Sequence, residues 1–411
     1  MRSVLIAARG TPAVRAVESC RALGLVPVTV VARSDPQRRH AVAGHVVLDD
    51  TGCGGYGCVD CVVRAAEDAR VDAVHPGPGA VAENPLLARK LAERGIRFVG
   101  PPASALAVTG DKGSAAEAAE RVGVPVLPHA VGERAIRALV DRHGLPVVLK
   151  RSDLHHGDGV RVVRSRADLT AALGGYSGWY AELYVEAARV VGVTVAADDA
   201  GHVVRLDERE SLLVAGNRKL LEAAPVLGVP DVLVRAMRAD AVRLACALGL
   251  RNLATVEFLV HPGGYAFLEV NARLTGSYRI CEARTGIDLI ALQLRLAMGH
   301  RLGHVVTRGT HVAQAHLFVR GGKPGLLTGV RLPGPRPGVV VDCALDGGLA
   351  VVFDTITSQV LATGSSRAQA CDRVGRAVAD IELAGLSHHG PDIADWCSRR
   401  SGASTEDLAT T

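Results

Sequence analysis

The chain has 411 residues, 48% of them hydrophobic, enough for two or three domains with substantial cores, which excludes a fibre or a disordered polypeptide. Its 47 basic and 42 acidic residues leave a net charge of +5 spread without a basic run, and aromatics at 3% give a nucleic-acid surface no support. No apolar run nears the roughly 18 residues of a membrane span, and the apolar start Val4 to Ala8 is cut by Arg9, too short for a secretory leader. The expectation is a cytoplasmic protein with neither nucleic acid nor membrane as partner.

In chain order, Val4 to Ala8 reads as a buried strand, Arg9-Gly10-Thr11-Pro12 opens a helix through about Leu23, and Val26 to Ala32 is a second strand. Val46 to Leu48, a helix near Val59 to Ala69, a strand at Ala73-Val74, a helix from Pro85 to Arg94 and a strand from Arg97 to Val99 continue a doubly wound α/β unit. The loop His75 to Asn84, HPGPGAVAEN, lies after a strand and before a helix, where open α/β sheets bind ligands. Nine scattered cysteines, an odd number, argue for reduced thiols. Cys53, Cys58 and Cys61 lack the second CxxC that zinc would want, so they read as thiols in a glycine-rich loop.

Gly100-Pro101-Pro102 closes this unit, and short helices from Ala103 to Val108 and from Gly113 to Val122 flank Gly110-Asp111-Lys112. Leu145 to Lys150 is a strand ending on a lysine. The polar loop Arg151 to Gly159, with His155, His156, Gly157, Asp158 and Gly159, then returns as Val160 to Val163. Such a glycine-containing tip suits covering phosphates with backbone N–H groups. Glu182 to Glu186 is strand-like, Val190 to Ala197 and Val203 to Leu206 form a hairpin, and Asp207 to Lys219 is expected to be a polar loop closed by Ala224-Pro225. Pro230 to Leu248 has apolar residues at helical spacing.

Thr255 to Val260, the turn Pro262-Gly263-Gly264 and Tyr265 to Val270 form the hairpin around which the chain is organised. Glu269 and Asn271 are two residues apart and point to one face, and a suitable register adds Glu257. Three such oxygen ligands suit Mg2+, which fills its octahedron with water and phosphate. Arg273 follows, a planar fork able to hold a phosphate or carboxylate beside the metal. A helix runs from Gly286 to Gly299. Short strands come next, at His311 to Val319, Gly329 to Leu332, Gly338 to Asp342 and Ala350 to Asp354, then a helix from Arg367 to Leu383 and a polar tail.

Only five lysines occur, Lys90, Lys112, Lys150, Lys219 and Lys323, among 47 basic residues. In a chain that has gone to arginine elsewhere, a retained lysine marks a place for a compact ammonium on a flexible stem.

In this order the pieces resemble an ATP-grasp enzyme of the biotin carboxylase-like branch. IAARGTPAVRA, HPGPGAVAEN and RFVGPP resemble its N-terminal domain, GDK and PVVLK its nucleotide-binding lysine motifs, and VEFL, FLEVNAR and TGIDLIALQLRLAMG its metal-binding core. RPGVVVD and FDTITSQVLATGSSRAQA resemble its C-terminal domain. The resemblance implies a fold of mixed α/β and α+β class. Its parts are a doubly wound N-terminal α/β domain at residues 1–102, an ATP-grasp domain at 103–305 with a mobile lid at about 125–188, a biotin carboxylase-like C-terminal domain at 306–398 and a disordered tail at 399–411. ATP and Mg2+ are the implied cofactors. Lys112 and Lys150 with Gly157 and Gly159 would hold phosphates, and Glu182, Leu183 and Val185 the adenine. Glu257, Glu269 and Asn271 would bind Mg2+. Arg273 and Lys219 would act at the acceptor, lined by Glu83, Asn84, Thr275, Ser277 and Tyr278. The branch is often dimeric, which leaves a homodimer open.

The departures decide the chemistry expected. Ser277 stands where biotin carboxylases carry the glutamate that serves as base for bicarbonate, Thr275 where they carry glutamine, and Val340 where an arginine stabilises the biotin enolate. Val214-Ala215-Gly216 occupies a basic, glutamine-containing segment. A serine cannot deprotonate bicarbonate unaided and valine cannot neutralise an enolate. The expected function is a ligase that activates a carboxylate as an acyl phosphate with Mg-ATP and transfers it to an amine. The rivals are a bicarbonate-dependent carboxylase of a small amine or guanidine, a biotin carboxylase subunit, and a nucleotide-binding regulator without turnover.

Overall fold

The computed structural model describes residues 1–32, 44–48, 55–151, 159–174, 178–216, 218–320, 325–345, 350–352 and 356–400. The N-terminal unit alternates β1 (Ser3–Ile6), α1 (Gly10–Ala22), β2 (Val26–Ala32), β3 (Val46–Leu48), α2 (Val59–Asp68), β4 (Ala73–His75), α3 (Pro85–Ala92) and β5 (Arg97–Phe98). Its strands are parallel in the order β3-β2-β1-β4-β5, so the order in which strands are added switches sides between β1 and β4, the crevice where such sheets take ligands. Gly77, just past β4, has φ +65°, and a Cβ there would stand 2.5 Å from that of Ala8, so only glycine lets this loop close against the end of β1. Cys58 caps α2, its sulfur accepting from the Cys61 N–H at 3.4 Å, and Cys53 lies outside the described residues.

After α4 (Ala103–Gly110) and α5 (Lys112–Arg121) comes a small α+β unit: β6 (His129–Val131), α6 (Glu133–His143), β7 (Val147–Arg151), β8 (Arg161–Val163), α7 (Arg166–Leu173) and β9 (Trp179–Leu183). Its antiparallel sheet, ordered β6-β9-β7-β8, packs on Ile136, Leu139, Val140, Leu169 and Leu173 from its two helices. These helices carry apolar residues at helical spacing.

The remainder is built on one eight-stranded sheet. It contains β10 (Arg189–Ala197), β11 (Val203–Ala215), β12 (Arg218–Ala224), β13 (Asn252–His261) and β14 (Gly264–Asn271), with α8 (Asp231–Ala247) against it. Beyond α9 (Tyr278–Thr285) and α10 (Leu289–Ala297) the chain returns as β15 (His311–Phe318), β16 (Gly325–Leu327), β17 (Gly329–Arg331), β18 (Val339–Cys343), β19 (Ala350–Val352) and β20 (Ile356–Gly364). It ends in α11 (Arg367–Ala379), β21 (Glu382–Ala384) and α12 (Gly390–Arg400). The sheet order is β14-β13-β10-β11-β12-β15-β20-β18, so strands on both sides of residue 305 share one sheet.

The expected polar loop from Asp207 to Lys219 is instead the long strand β11, a turn and the start of β12. Its charges are tolerated in a sheet because they pair: Asp207 with Arg284 at 2.8 Å and Arg209 with Glu222 at 3.1 Å. The helix expected to reach Leu383 stops at Ala379, and Glu382–Ala384 pairs with β17. Among the described residues no helix is long and apolar enough to cross a membrane.

Candidate active site

Register places the carboxylates. In the β13-β14 hairpin Glu257 pairs with Glu269 and Thr255 with Asn271, so residues at this period share one face of the sheet. Asn271 donates from Nδ2 to Glu269 Oε1 at 3.0 Å and accepts at Oδ1 from Arg273 Nη2 at 2.9 Å. Arg273 Nε in turn lies 3.0 Å from Glu83 Oε2, in the loop before α3. Glu269 is open to solvent, whereas Glu257 is buried, with Oε1 held by the Lys219 ammonium and Oε2 without any hydrogen bond. A buried carboxylate oxygen with an unspent lone pair is what a cation site leaves behind.

The electrostatics divide the two carboxylates. Burial and the neighbouring Glu269 push the Glu257 carboxyl above its ordinary range despite Lys219. Although Glu269 reaches solvent, the protein packed around its carboxyl works against the charge, but Lys219, Lys150, Asn271 and Arg273 outweigh that desolvation and hold the carboxyl low. Lys219 is likewise disfavoured by burial, and Glu257, Glu222 and Glu269 together raise its ammonium above normal. The hairpin thus presents two fixed oxygens of high electron density with cations already gathered round them.

On the opposite wall, Lys112 opens α5 behind the Asp111 cap, whose side chain accepts from the Ser114 N–H at 2.7 Å. Its Nζ donates to the Arg151 carbonyl at 3.2 Å, and burial, with Lys150 nearby, lowers its affinity for a proton. Lys150, on β7, is 2.6 Å from Glu182 Oε1 on β9, while the Tyr180 hydroxyl donates to Glu182 Oε2 at 3.0 Å. A phosphate approaching Lys150 therefore competes with Glu182. The Leu183 N–H is used by the Pro128 carbonyl at 3.1 Å, and Val185 follows β9, half-buried. Gly159 has φ +73°, a conformation side chains rarely adopt, and Gly157 lies outside the described residues with His155, His156 and Asp158.

Toward the other edge of the sheet the same face continues into a second polar group. Thr275 accepts from Arg209 Nη2 at 3.0 Å. Ser277, buried, donates to Glu222 Oε2 at close range and lies 3.4 Å from His316 Nε2. Gln359 Nε2 donates to the Gly276 carbonyl at 2.8 Å and stands 3.1 Å from His316 Nδ1, and the Thr11 hydroxyl donates to Gln359 Oε1 at 3.2 Å. Burial would raise the Glu222 carboxyl, yet Arg209, His316 and Lys219 hold it down at about 2. Asn84 spends its side chain capping α3, accepting from the Leu86 N–H at 2.9 Å, and Tyr278 is buried with its hydroxyl unpartnered.

Most of the residues nominated from sequence are brought into one connected set: Glu83, Lys112, Lys150, Glu182, Lys219, Glu257, Glu269, Asn271 and Arg273 touch or act on one another. Arg209, Glu222 and His316 join them from strands whose polar residues gave no motif, and Gln359 joins from the segment FDTITSQVLATGSSRAQA, where the resemblance gave it no role. The only available signal was the alternation of charges in LDERES, legible as a strand face once Arg209 is paired with Glu222. Among the described residues no group of three or more His, Cys, Asp or Glu gathers as a metal site, in keeping with a set of two carboxylates and an amide.

Comparison with known proteins bears on the fold that carries these residues. Residues 1–106 match the family model described as the N-terminal domain of biotin carboxylase, and residues 111–305 match the ATP-binding domain of the carbamoyl-phosphate synthase large chain. Biotin carboxylase 2 of Bacillus subtilis is 30% identical over 94% of each chain. The biotin carboxylase of Halalkalibacterium halodurans is 32% identical over 95% of this chain and 92% of its own. The biotin carboxylase domain of 2-oxoglutarate carboxylase from Hydrogenobacter thermophilus, solved as a dimer with MgADP, ADP and bicarbonate, superimposes with a TM-score of 0.91. It is 25% identical, with 100% of this chain and 96% of that one covered.

Proposed function

Because the chain belongs to the biotin carboxylase family, we propose that its ATP-grasp site activates a carboxylate as an acyl phosphate and passes the acyl group to an amine acceptor. It is an ATP-dependent ligase that forms C–N bonds. In the first step a carboxylate oxygen attacks the terminal phosphorus of ATP, the bond to the bridging oxygen breaks, and ADP leaves. In the second the amine nitrogen attacks the acyl carbon, phosphate departs, and the nitrogen loses a proton. Activation converts a poor leaving group into a good one.

Each residue in the connected set has a place in this scheme. Lys112 and Lys150 neutralise the phosphate chain, and Glu182 reads the base from the β9 side. Arg273, anchored by Asn271 and Glu83, orients the carboxylate to be activated, and Lys219 offsets charge on the transferring phosphoryl group. Glu257, through its unspent Oε2, and Glu269, with Asn271 beside them, would hold Mg2+. Mg2+ supplies charge neutralisation between the phosphates when bound.

The observation that carries the acceptor half is the state of Ser277. Its hydroxyl is committed to a carboxylate that is itself held ionised by Arg209 and His316, so the loop presents no base for bicarbonate. The names of the relatives favour a second reading, a biotin carboxylase subunit acting with a separate carrier and, like the domain from H. thermophilus, as a dimer. The test is phosphate release from Mg-ATP with pools of carboxylates and amines, with bicarbonate plus free biotin, and with bicarbonate plus amines. Release requiring a carboxylate and an amine is expected; release requiring bicarbonate and biotin would replace this reading with the second.

A further inference from the structure

The N-terminal unit and the eight-stranded sheet meet at Gln293, on α10, a contact that the chemistry proposed above leaves unused. His75 closes β4, buried, with both ring nitrogens engaged. Its Nδ1 accepts from the Gly77 N–H at 3.2 Å, so Nε2 carries the proton and donates to Gln293 Oε1 at 3.1 Å. Burial pushes the imidazole down to about 4, which keeps it in this neutral form. Gln293, itself buried, is gripped a second time through its main chain, whose carbonyl accepts from Asn252 Nδ2 at 2.9 Å. Asn252 opens β13 at φ +66°, a left-handed conformation that asparagine tolerates better than most side chains, and Glu257 lies further along that strand.

The loop that His75 begins carries Glu83, and its path is held at each step. Gly77 lies close against Ala8, the Ala82 and Asn84 N–H groups return to the Gly79 and Val81 carbonyls at 3.0 and 3.3 Å, Val81 and Ala82 are buried, and Asn84 caps α3. Glu83 Oε2 then stands 3.0 Å from Arg273 Nε, while Arg273 Nη2 donates to Asn271 on β14 at 2.9 Å. The guanidinium is thus held from two sides: Asn271 belongs to the hairpin and Glu83 to the N-terminal unit. Its plane depends on how those two stand relative to one another, and a planar fork meets a carboxylate well only when its plane is set. The hydrogen bond from His75 to Gln293 spans the same junction, at the start of the loop that leads to Glu83.

Resting on the role proposed above for Arg273 as the clamp of the carboxylate, we propose that His75 and Gln293 are positioning residues for that clamp. Their hydrogen bond seats the N-terminal loop on α10, the loop carries Glu83 to Arg273, and Glu83 with Asn271 fixes the guanidinium in the plane that the carboxylate meets. Neither His75 nor Gln293 touches substrate. Lys112 and Lys150 take the phosphates from the opposite wall, so loss of the bond weakens use of the carboxylate and spares the nucleotide.

The test uses the full chain with Mg-ATP, an accepted carboxylate and an accepted amine. Gln293→Met keeps the length of the side chain and the main-chain bond to Asn252 but removes the acceptor for His75. His75→Asn keeps an acceptor for the Gly77 N–H and loses the reach to Gln293. Each variant should lower kcat/KM for the carboxylate by roughly ten- to a hundredfold, the scale of a small misplacement of a substrate clamp, with KM for ATP within about twofold of the parent. Combined with Glu83→Gln, either should add nothing beyond the larger single loss, since all three act through Arg273, whereas independent sites add their free energies. Losses that multiply overturn the proposal, as does an equal rise in KM for ATP or a carboxylate kcat/KM unchanged in both variants. Failure of both variants to fold marks the bond as a structural brace and also overturns it. The parent separates these failures from that of the reading beneath them: phosphate release indifferent to added carboxylate removes the role of Arg273 itself, and the positioning role with it.

Discussion

Two buried glutamates on one sheet face have been driven in opposite directions. Glu257, near the nucleotide wall, is pushed above its ordinary range by burial and by Glu269, and keeps an oxygen without a partner. Glu222, two strands away from Glu257's neighbour β10 in the sheet order, is held at about 2 because Arg209, His316 and Lys219 overcome its burial, and Ser277 donates to it as well. The first keeps an oxygen able to take a cation; the second is saturated. An unsatisfied carboxylate costs stability and makes a binding site, while a saturated one fixes the shape of the loop it holds.

The sharpest way to break the contrast is at the unsatisfied end. Glu269→Gln removes a proposed metal ligand from an open position and should cut turnover about a thousandfold, with thermal unfolding little changed; activity near that of the parent would refute the metal assignment. At the saturated end the cost should appear in folding. Arg209→Met strips the buried partner from Glu222 and should lower the free energy of urea unfolding by about 3–5 kcal/mol; a loss under about 1 kcal/mol would mean that Glu222 is not held by that pair.

Acidity gives a third measure of the same contrast. Because the folded value for Glu222, about 2, lies below its ordinary 4.5, the unfolded chain binds the extra proton in that window. The stability Glu222 contributes, at most about 3 kcal/mol, is present above pH 4.5 and lost as pH falls toward 2. Comparing the parent with Glu222→Gln by denaturant unfolding at neutral pH and near pH 3 should show their difference shrinking. A constant difference would place the effect in packing instead of charge. The smallest expected effect is that of Ser277→Ala, about 1–2 kcal/mol of stability, and an unchanged midpoint of unfolding would show that the hydroxyl does not brace the loop.

The two ends were not equally legible in the sequence. The hairpin that places Glu257 opposite Glu269 follows from period-two alternation around a Pro-Gly-Gly turn, and Lys112 and Lys150 announce themselves by scarcity. The acceptor end gave almost nothing, because DERESLLVAGNRK is polar enough to read as a loop. Its polarity is that of a buried strand whose charges find partners on β12 and α9: Arg209 with Glu222, Asp207 with Arg284. Polarity announces exposure only when the partner residues are unknown, and here they lie from 13 to 77 positions away. For the same reason the sheet that joins residues before and after position 305 was invisible, since a long-range strand pair leaves no local mark.

The contact between Lys219 and Glu257 has one more effect. An enzyme that makes an acyl phosphate beside its own lysine risks acylating itself, and only the neutral amine can attack. Carboxylates on several sides keep the Lys219 nitrogen protonated, so in the proposed scheme the same ion pair also protects the catalyst from its own product.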